Sequence, residues 1–106
     1  MQERHQDKQR YFNEQGKTTG KFVVPLLAEF LTIDATTTVL EIGCAEAGNV
    51  LPFVDLGCQV TGIDIACNRI ELAKEFYKNH KNRSNLELIC KDIYKVKPSD
   101  KKYDII

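Results

Sequence analysis

The sequence predicts an α/β fold, a parallel sheet with flanking helices. Three observations lead there. Short apolar runs at residues 39–42, 59–63 and 85–90 have the length and β-branched content of strands. Segments of helical periodicity separate them, and strands that alternate with helices are parallel strands joined by right-handed crossovers. Each run also ends at or beside an acid: Glu41, Asp64 and Asp92.

Residues 1–20 are read as an N-terminal polar flap or helix, with GKTTG at 16–20 as a turn or N-cap region. From Lys21 the residues Phe22, Val23, Leu26, Leu27, Phe30 and Leu31 recur at helical spacing, with Pro25 tolerable in a first turn. Thr36 to Thr38 lead into the first strand, VLEI, which stops at Gly43. A short helix is expected over 49–56, with Pro52 in its first turn and Gly57 closing it. The second strand runs into Asp64. The segment 65–79 then carries Ile70, Leu72, Ala73, Phe76 and Tyr77 near one stripe of an amphipathic helix. The third strand ends near Asp92, and a lysine-rich loop through Pro98 leads to YDII at 103–106, the opening of a fourth strand. At 106 residues the chain is short for this architecture. Residues 21–106 are expected to be an incomplete core, cut after the fourth strand begins.

Composition narrows the function. Hydrophobic residues make up 42% and charged residues 28%, and no run reaches the roughly 18 apolar residues of a membrane span. The polar start MQERHQDKQR lacks the apolar core of a secretory signal, so a cytoplasmic protein without membrane partners is expected. Cys44, Cys58, Cys67 and Cys90 form no C-x-x-C pair and have no histidine at zinc spacing, which predicts reduced packing thiols and no metal. His5 and His80 lie in polar segments and are expected to face solvent. The net charge is zero, yet residues 22–73 carry one basic and seven acidic groups, a net charge of −6. That balance favours a cationic ligand and is the wrong sign for nucleic acid.

The turn EIGCAEAG at 41–48 has the makings of a ligand cradle. Gly43 lets the chain leave the strand along a path other residues resist, and small residues at 45, 47 and 48 let a ligand approach the backbone. Glu41 at the strand tip is awkward for a pyrophosphate and suits a positive charge. Asp64, 23 positions later, can accept both hydroxyls of a ribose, and Asp92 can accept from an exocyclic amino group, with Ile65 and Ile93 as apolar walls. Taken singly, each aspartate also reads as a helix cap.

These residues resemble the class I S-adenosylmethionine-dependent methyltransferases. VLEIGCAEAGN is similar to their first motif, VTGIDIA to the acidic second-strand motif, LICKDI to the third and YDII to the start of the fourth. The resemblance covers roughly residues 20–106 and is greatest to the small-molecule branch that includes the ubiquinone and menaquinone biosynthesis methyltransferases. It implies a Rossmann-like core, S-adenosyl-L-methionine as cofactor and methyl transfer to a small-molecule acceptor. By position, Glu41 would serve the methionine end, Gly43 and Ala45 would lie against methionine and ribose, Asp64 would take the ribose hydroxyls, Ile65 would pack on adenine, and Asp92 with Ile93 would meet its amino group. Tyr11 and Thr19 would belong to an N-terminal flap. No catalytic residue is implied. The family's pattern is commonly E-x-G-x-G-x-G, and this chain has Ala45 and Ala47 at the later glycine positions. Ala45 fits if its φ is negative, whereas a positive φ at Ala47 would cost on the order of 1 kcal/mol. Two other readings stand beside this one. A nicotinamide-dependent oxidoreductase would need G-x-G-x-x-G, which is missing. A non-catalytic fragment could self-associate, as a homo-oligomer, through an exposed sheet edge.

Overall fold

The computed structural model describes residues 2–97 and 101–106. Pro98 lies outside them, as does the side chain of His5. The N-terminal third is helical throughout: α1 (Gln2–Thr18), a π-helical turn (Thr19–Val23) and α2 (Val24–Ala28) follow without a break. Then come β1 (Thr38–Ile42), α3 (Leu51–Asp55), β2 (Gln59–Asp64), α4 (Cys67–Tyr77) and β3 (Leu86–Cys90), with short 3-10 turns at Arg83–Asn85 and Ile93–Lys95.

The three strands form a parallel sheet in the order β1-β2-β3, with Val39 opposite Val60 and Val60 opposite Leu86. The expected fourth strand is present as a single parallel bridge: Ile105 pairs with Val39, and Leu40 N–H donates to the Ile105 carbonyl at 2.9 Å. One core gathers Val39 and Val60 from the sheet with Phe12, Phe53, Val54, Ile70, Ala73 and Tyr77 from the helices. Side chains alternate across a strand, so Leu40, Ile42, Ile63 and Ile89 lie on the opposite face. On that face Ile63 is buried while Ile42 is half exposed.

The stretch 16–20 is not the turn the sequence suggests. Gly16 and Gly20 sit inside helix because α1 crosses α3 closely. A Cβ on Gly16 would come 2.8 Å from Leu51 Cδ2, and one on Gly20 would touch Pro52. These glycines serve contact, and the helix tolerates their propensity cost of about 1 kcal/mol each. Along residues 22–30, Val24 and Leu27 of α2 are partly buried against the core while Phe22, Leu26 and Phe30 are exposed, so only one edge of the expected apolar stripe is covered.

Two further expectations are overturned. Cys67 and Cys90 are joined in a disulfide, where reduced thiols were expected. Cys90 ends β3 in register with Asp64, and α4 begins three residues beyond Asp64, which brings the two Cα atoms to 5.1 Å. Cys44 and Cys58 do remain free and buried. His80, expected in solvent, has a largely covered ring whose Nε2 lies 2.6 Å from Asp55 Oδ1.

The path after β1 is left-handed, with φ of 74° at Gly43, 50° at Ala45 and 64° at Ala47. The negative φ that would have suited Ala45 is therefore not the one adopted. Both alanines carry the Cβ strain of this region, about 1 to 2 kcal/mol each. They differ in burial, since the Ala47 methyl is wholly enclosed in the core and Ala45 is partly open. Ala45→Gly should therefore stabilise the fold by about 1 kcal/mol, whereas Ala47→Gly should be near neutral because a buried methyl worth about 0.8 kcal/mol is lost. Urea midpoints of the two variants check this, and equal shifts would contradict it. The disulfide closes a loop across a sequence separation of 23. Its reduction should lower the unfolding free energy by about 3 kcal/mol, measured by denaturation with and without a thiol reductant.

Candidate functional site

The carboxyl edge of the sheet is organised by the turn that follows β1. Its amides have defined partners. The Ile63 carbonyl accepts from Gly43 N–H at 2.7 Å and from Cys44 N–H at 3.1 Å, and Ala47 N–H donates to the Cys44 carbonyl at 2.8 Å. Ala45 N–H donates to Asp64 Oδ2 at 2.8 Å, while Asp64 Oδ1 accepts from Ala66 N–H, also at 2.8 Å. Asp64 thus clamps the turn to the end of its own strand. Each of its oxygens keeps accepting capacity, since an ionised carboxylate has about four lone-pair sites. From below, the buried Tyr77 hydroxyl donates to the Ala47 carbonyl at 2.7 Å. Burial drives the Tyr77 pKa well above its ordinary value, with the charges of Asp55 and Glu41 adding to it, so the phenol remains a donor.

Helix α1 closes over the other side. A Cβ on Gly48 would meet the Phe12 carbonyl oxygen at 2.9 Å, so only glycine lets the helix backbone come this near. Phe12 packs edge-on to Tyr77 and against Phe76, and Lys8 reaches the covered Glu46 carboxylate at 3.5 Å. Gly62 in β2 makes room for Cys44, whose Sγ would lie 2.9 Å from a Cβ there. Burial, followed by the neighbouring Glu41 and Asp64, pushes the Cys44 thiol up to about 12, which leaves it inert as a nucleophile.

Two clefts flank this edge. The smaller, of about 180 Å³, is lined by Gly43, Asp64, Ile65, Asp92 and Ile93 together with Ile42, Ile63 and Lys91. Five residues singled out in the sequence therefore meet in one place. Ile65 is 68% exposed and Ile93 38%, so both present apolar surface there. Asp92 Oδ1 accepts from Tyr94 N–H at 3.0 Å and caps the turn at 93–95.

Glu41 lines the larger cleft, of about 440 Å³, together with Thr19, Asn49 and the apolar Val23, Leu27, Phe53, Ile105 and Ile106. The neighbouring Asn49 side chain favours the charged form of the Glu41 carboxyl, yet burial outweighs it and raises the pKa from 4.5 to about 7. Its Oε1 is shut off from solvent without a hydrogen-bond partner. An acid held in this way suits a cationic group, which would both ionise it and pair with it. Ala45 lines neither cleft and enters the site through its amide to Asp64. Of the two flap residues, Thr19 is buried and donates to Asn49 Oδ1 at 3.2 Å, while Tyr11 is 59% exposed. Asn49 and Tyr77 escaped the sequence reading. A hydroxyl on the apolar stripe of α4 and an amide next to Gly48 were the only signals, and both are common in structures with no site.

Comparison with known proteins bears on this edge. Residues 39–106 match the family described as Methyltransferase domain. Sterol 4-C-methyltransferase strm-1 of Caenorhabditis elegans is 29% identical over 79 residues, which are 74% of this chain and 24% of that protein. The chain thus spans about a quarter of the length of the curated relative it matches. Among solved structures, PKMT2 of Rickettsia typhi in complex with AdoHcy is 34% identical with a TM-score of 0.60, over 67% of this chain and 14% of that one. The CcbJ methyltransferase of Streptomyces caelestis, 18% identical, shares the fold with a TM-score of 0.65 over 88% of this chain and 34% of its own. Since the family match extends over residues 39–106, well over half of the chain, this protein belongs to the methyltransferase domain family.

Proposed function

We propose that this chain forms the cofactor-binding half of an S-adenosyl-L-methionine-dependent methyltransferase acting on a small-molecule acceptor. The observation that carries the reading is Glu41 Oε1, shut off from solvent without a hydrogen-bond partner on one side of the left-handed turn, with Asp64 and Asp92 lining the cleft on the other. The cofactor fits these residues. It has a cationic amino-acid end, a ribose with two adjacent hydroxyls and an adenine with an exocyclic amino group. Glu41 is the partner for the amino group. Gly43 and Ala45 offer a backbone that a ligand can approach, Asp64 has lone pairs left for the hydroxyls, and Ile65 and Ile93 flank the ring while Asp92 receives its amino group. The AdoHcy complex of PKMT2, a neighbour above 25% identity, supports the same cofactor here.

When bound, the cofactor supplies an activated methyl on a sulfonium, so that the protein's work is orientation and exclusion of water. Apolar Val23, Leu27, Phe53 and Ile105 around Glu41 provide the dry wall for that. A small-molecule acceptor of the ubiquinone and menaquinone type rests on the wording of the motifs.

Calorimetry with S-adenosylhomocysteine tests the reading. The wild-type chain should bind it, and Asp64→Ala should bind about tenfold or more weakly, since hydrogen bonds to a charged group are worth about 1.5 to 3 kcal/mol. Binding of NADH in the absence of S-adenosylhomocysteine binding would overturn it.

The Glu41 carboxyl also makes stability depend on pH. Its folded pKa of about 7 lies above the ordinary 4.5, so the folded state holds more protons between these values. Its contribution is present in full below pH 4.5 and is lost as pH rises through about 7. Glu41→Gln should flatten that slope in urea titrations run across the window and be the more stable form above it. A cationic ligand favours the ionised carboxylate, so the affinity of wild type should increase as pH rises through about 7.

A further inference from the structure

We propose that the Cys67–Cys90 disulfide is a redox switch on the smaller cleft: oxidised, it holds the apolar wall at Ile65 beside Asp64 and Asp92 in the arrangement that takes a nucleoside, and reduction by a dithiol loosens that wall. The identity of the nucleoside as the adenosine part of S-adenosylmethionine rests on the function proposed above. The switch itself rests on where the bridge sits.

Both sides of the cleft leave the sheet at the bridge. β2 ends at Asp64, and Ile65 and Ala66 connect it to Cys67 at the start of α4. β3 ends at Cys90, and Lys91, Asp92 and Ile93 follow it. Asp64, Ile65, Lys91, Asp92 and Ile93 all line the cleft of about 180 Å³, and each lies within three positions of a bridged cysteine. The hydrogen bonds at this place are light by comparison with a covalent bond: Lys91 N–H donates to the Asp64 carbonyl at 3.0 Å, and Ala66 N–H to Asp64 Oδ1 at 2.8 Å. The Ile65 side chain is largely exposed, so its backbone and not its packing decides where it stands. A wall already fixed in the free protein loses less freedom when a ligand arrives.

The Ile65 carbonyl meets different groups in the two states. Its oxygen lies 3.7 Å from Cys90 Sγ and 4.0 Å from Cys67 Sγ. Joined, the two sulfurs carry no hydrogen. Separated, each is a weak S–H donor close to the same carbonyl, so reduction replaces one covalent tie by two soft contacts that compete for one acceptor. The step is a thiol–disulfide exchange. One thiolate of the dithiol attacks a bridge sulfur, its second thiolate resolves the mixed disulfide, and the dithiol closes to its own disulfide while two electrons and two protons pass to Cys67 and Cys90. Both cysteines are exposed to such a reductant, whereas Cys44 and Cys58 are buried.

Amide hydrogen exchange in the ligand-free chain, oxidised and then reduced with dithiothreitol, is the first readout. Ala66 and Lys91 should lose about tenfold in protection on reduction, while the protected amides within β2 keep theirs. Calorimetry with S-adenosylhomocysteine is the second. The reduced chain should bind about threefold to tenfold more weakly, the cost of ordering one further side chain, and should recover on reoxidation. The Cys67→Ser, Cys90→Ser double variant should bind as weakly as the reduced chain and ignore dithiothreitol. By linkage, saturating S-adenosylhomocysteine should make the reduction potential of the bridge more negative by about 15 to 30 mV, the same fold-change converted for a two-electron couple. A bridge that only staples the fold would give no such shift. Unchanged protection at Ala66 and Lys91 overturns the switch, and so does loss of protection throughout β2, which would make the bridge a staple of the whole fold. Equal affinity in the two states with no shift in potential overturns it as well. If the oxidised chain takes up no S-adenosylhomocysteine, the cofactor reading fails instead, and amide exchange alone upholds or overturns the switch.

Discussion

The left-handed path from Gly43 to Ala47 is the constraint on which the carboxyl edge depends. A chain that turns back on itself there exposes amides and carbonyls in a place that helices cover, and each needs a partner. The partners come from three different elements: the Ile63 carbonyl and the Asp64 carboxylate from β2, and the Tyr77 hydroxyl from α4. Helix α1 then seals the turn at Gly48, where no side chain would fit. The neighbouring elements are thus held in position by the needs of five residues of backbone. The turn, strained at two alanines, is in turn held in place by them.

The electrostatic design follows from that geometry. β1 delivers Glu41 to a partly buried edge where its charge is poorly solvated, and the neighbouring Asn49 relieves only part of the penalty. A protein that needed this position only for packing would be better served by an apolar side chain of the same size. Asp64 is the contrasting case. Two backbone amides donate to it, one to each oxygen, and it combines structural clamping with spare accepting capacity at the rim of the smaller cleft. Two acids of similar sequence context therefore have different physical states, one poised near neutrality by burial and one tied into the backbone.

Much of this was legible in the residues themselves. The three strands stand out as short β-branched runs, and the positions of Glu41, Asp64 and Asp92 at their ends follow from where those runs stop. Gly57 ends α3 with a φ of 84°, as a glycine after a short helix suggests. What escaped depends on partners distant in the chain. Gly16 and Gly20 look like breakers until Leu51 and Pro52 are placed against them. Cys67 and Cys90 have no spacing signature, and their pairing arises from the register of β2 with β3. His80 sits in a polar segment, yet its ring meets Asp55, which is 25 positions away. Ala45 offers no local hint of a positive φ, because that angle is imposed by Asp64 and the Ile63 carbonyl.

The dependence of the turn on Asp64 also sets an order of events during folding. The Ala45 amide finds its acceptor 19 residues further along the chain, after α3 has formed and β2 has docked in parallel on β1. Until then that bond does not offset the strain at the two alanines, so the turn is expected to complete after the sheet has assembled. Sequence changes in the turn are then expected to act more on how fast the native state is lost than on how fast it is reached. The site region is in this sense a kinetic latch, closed last and opened first.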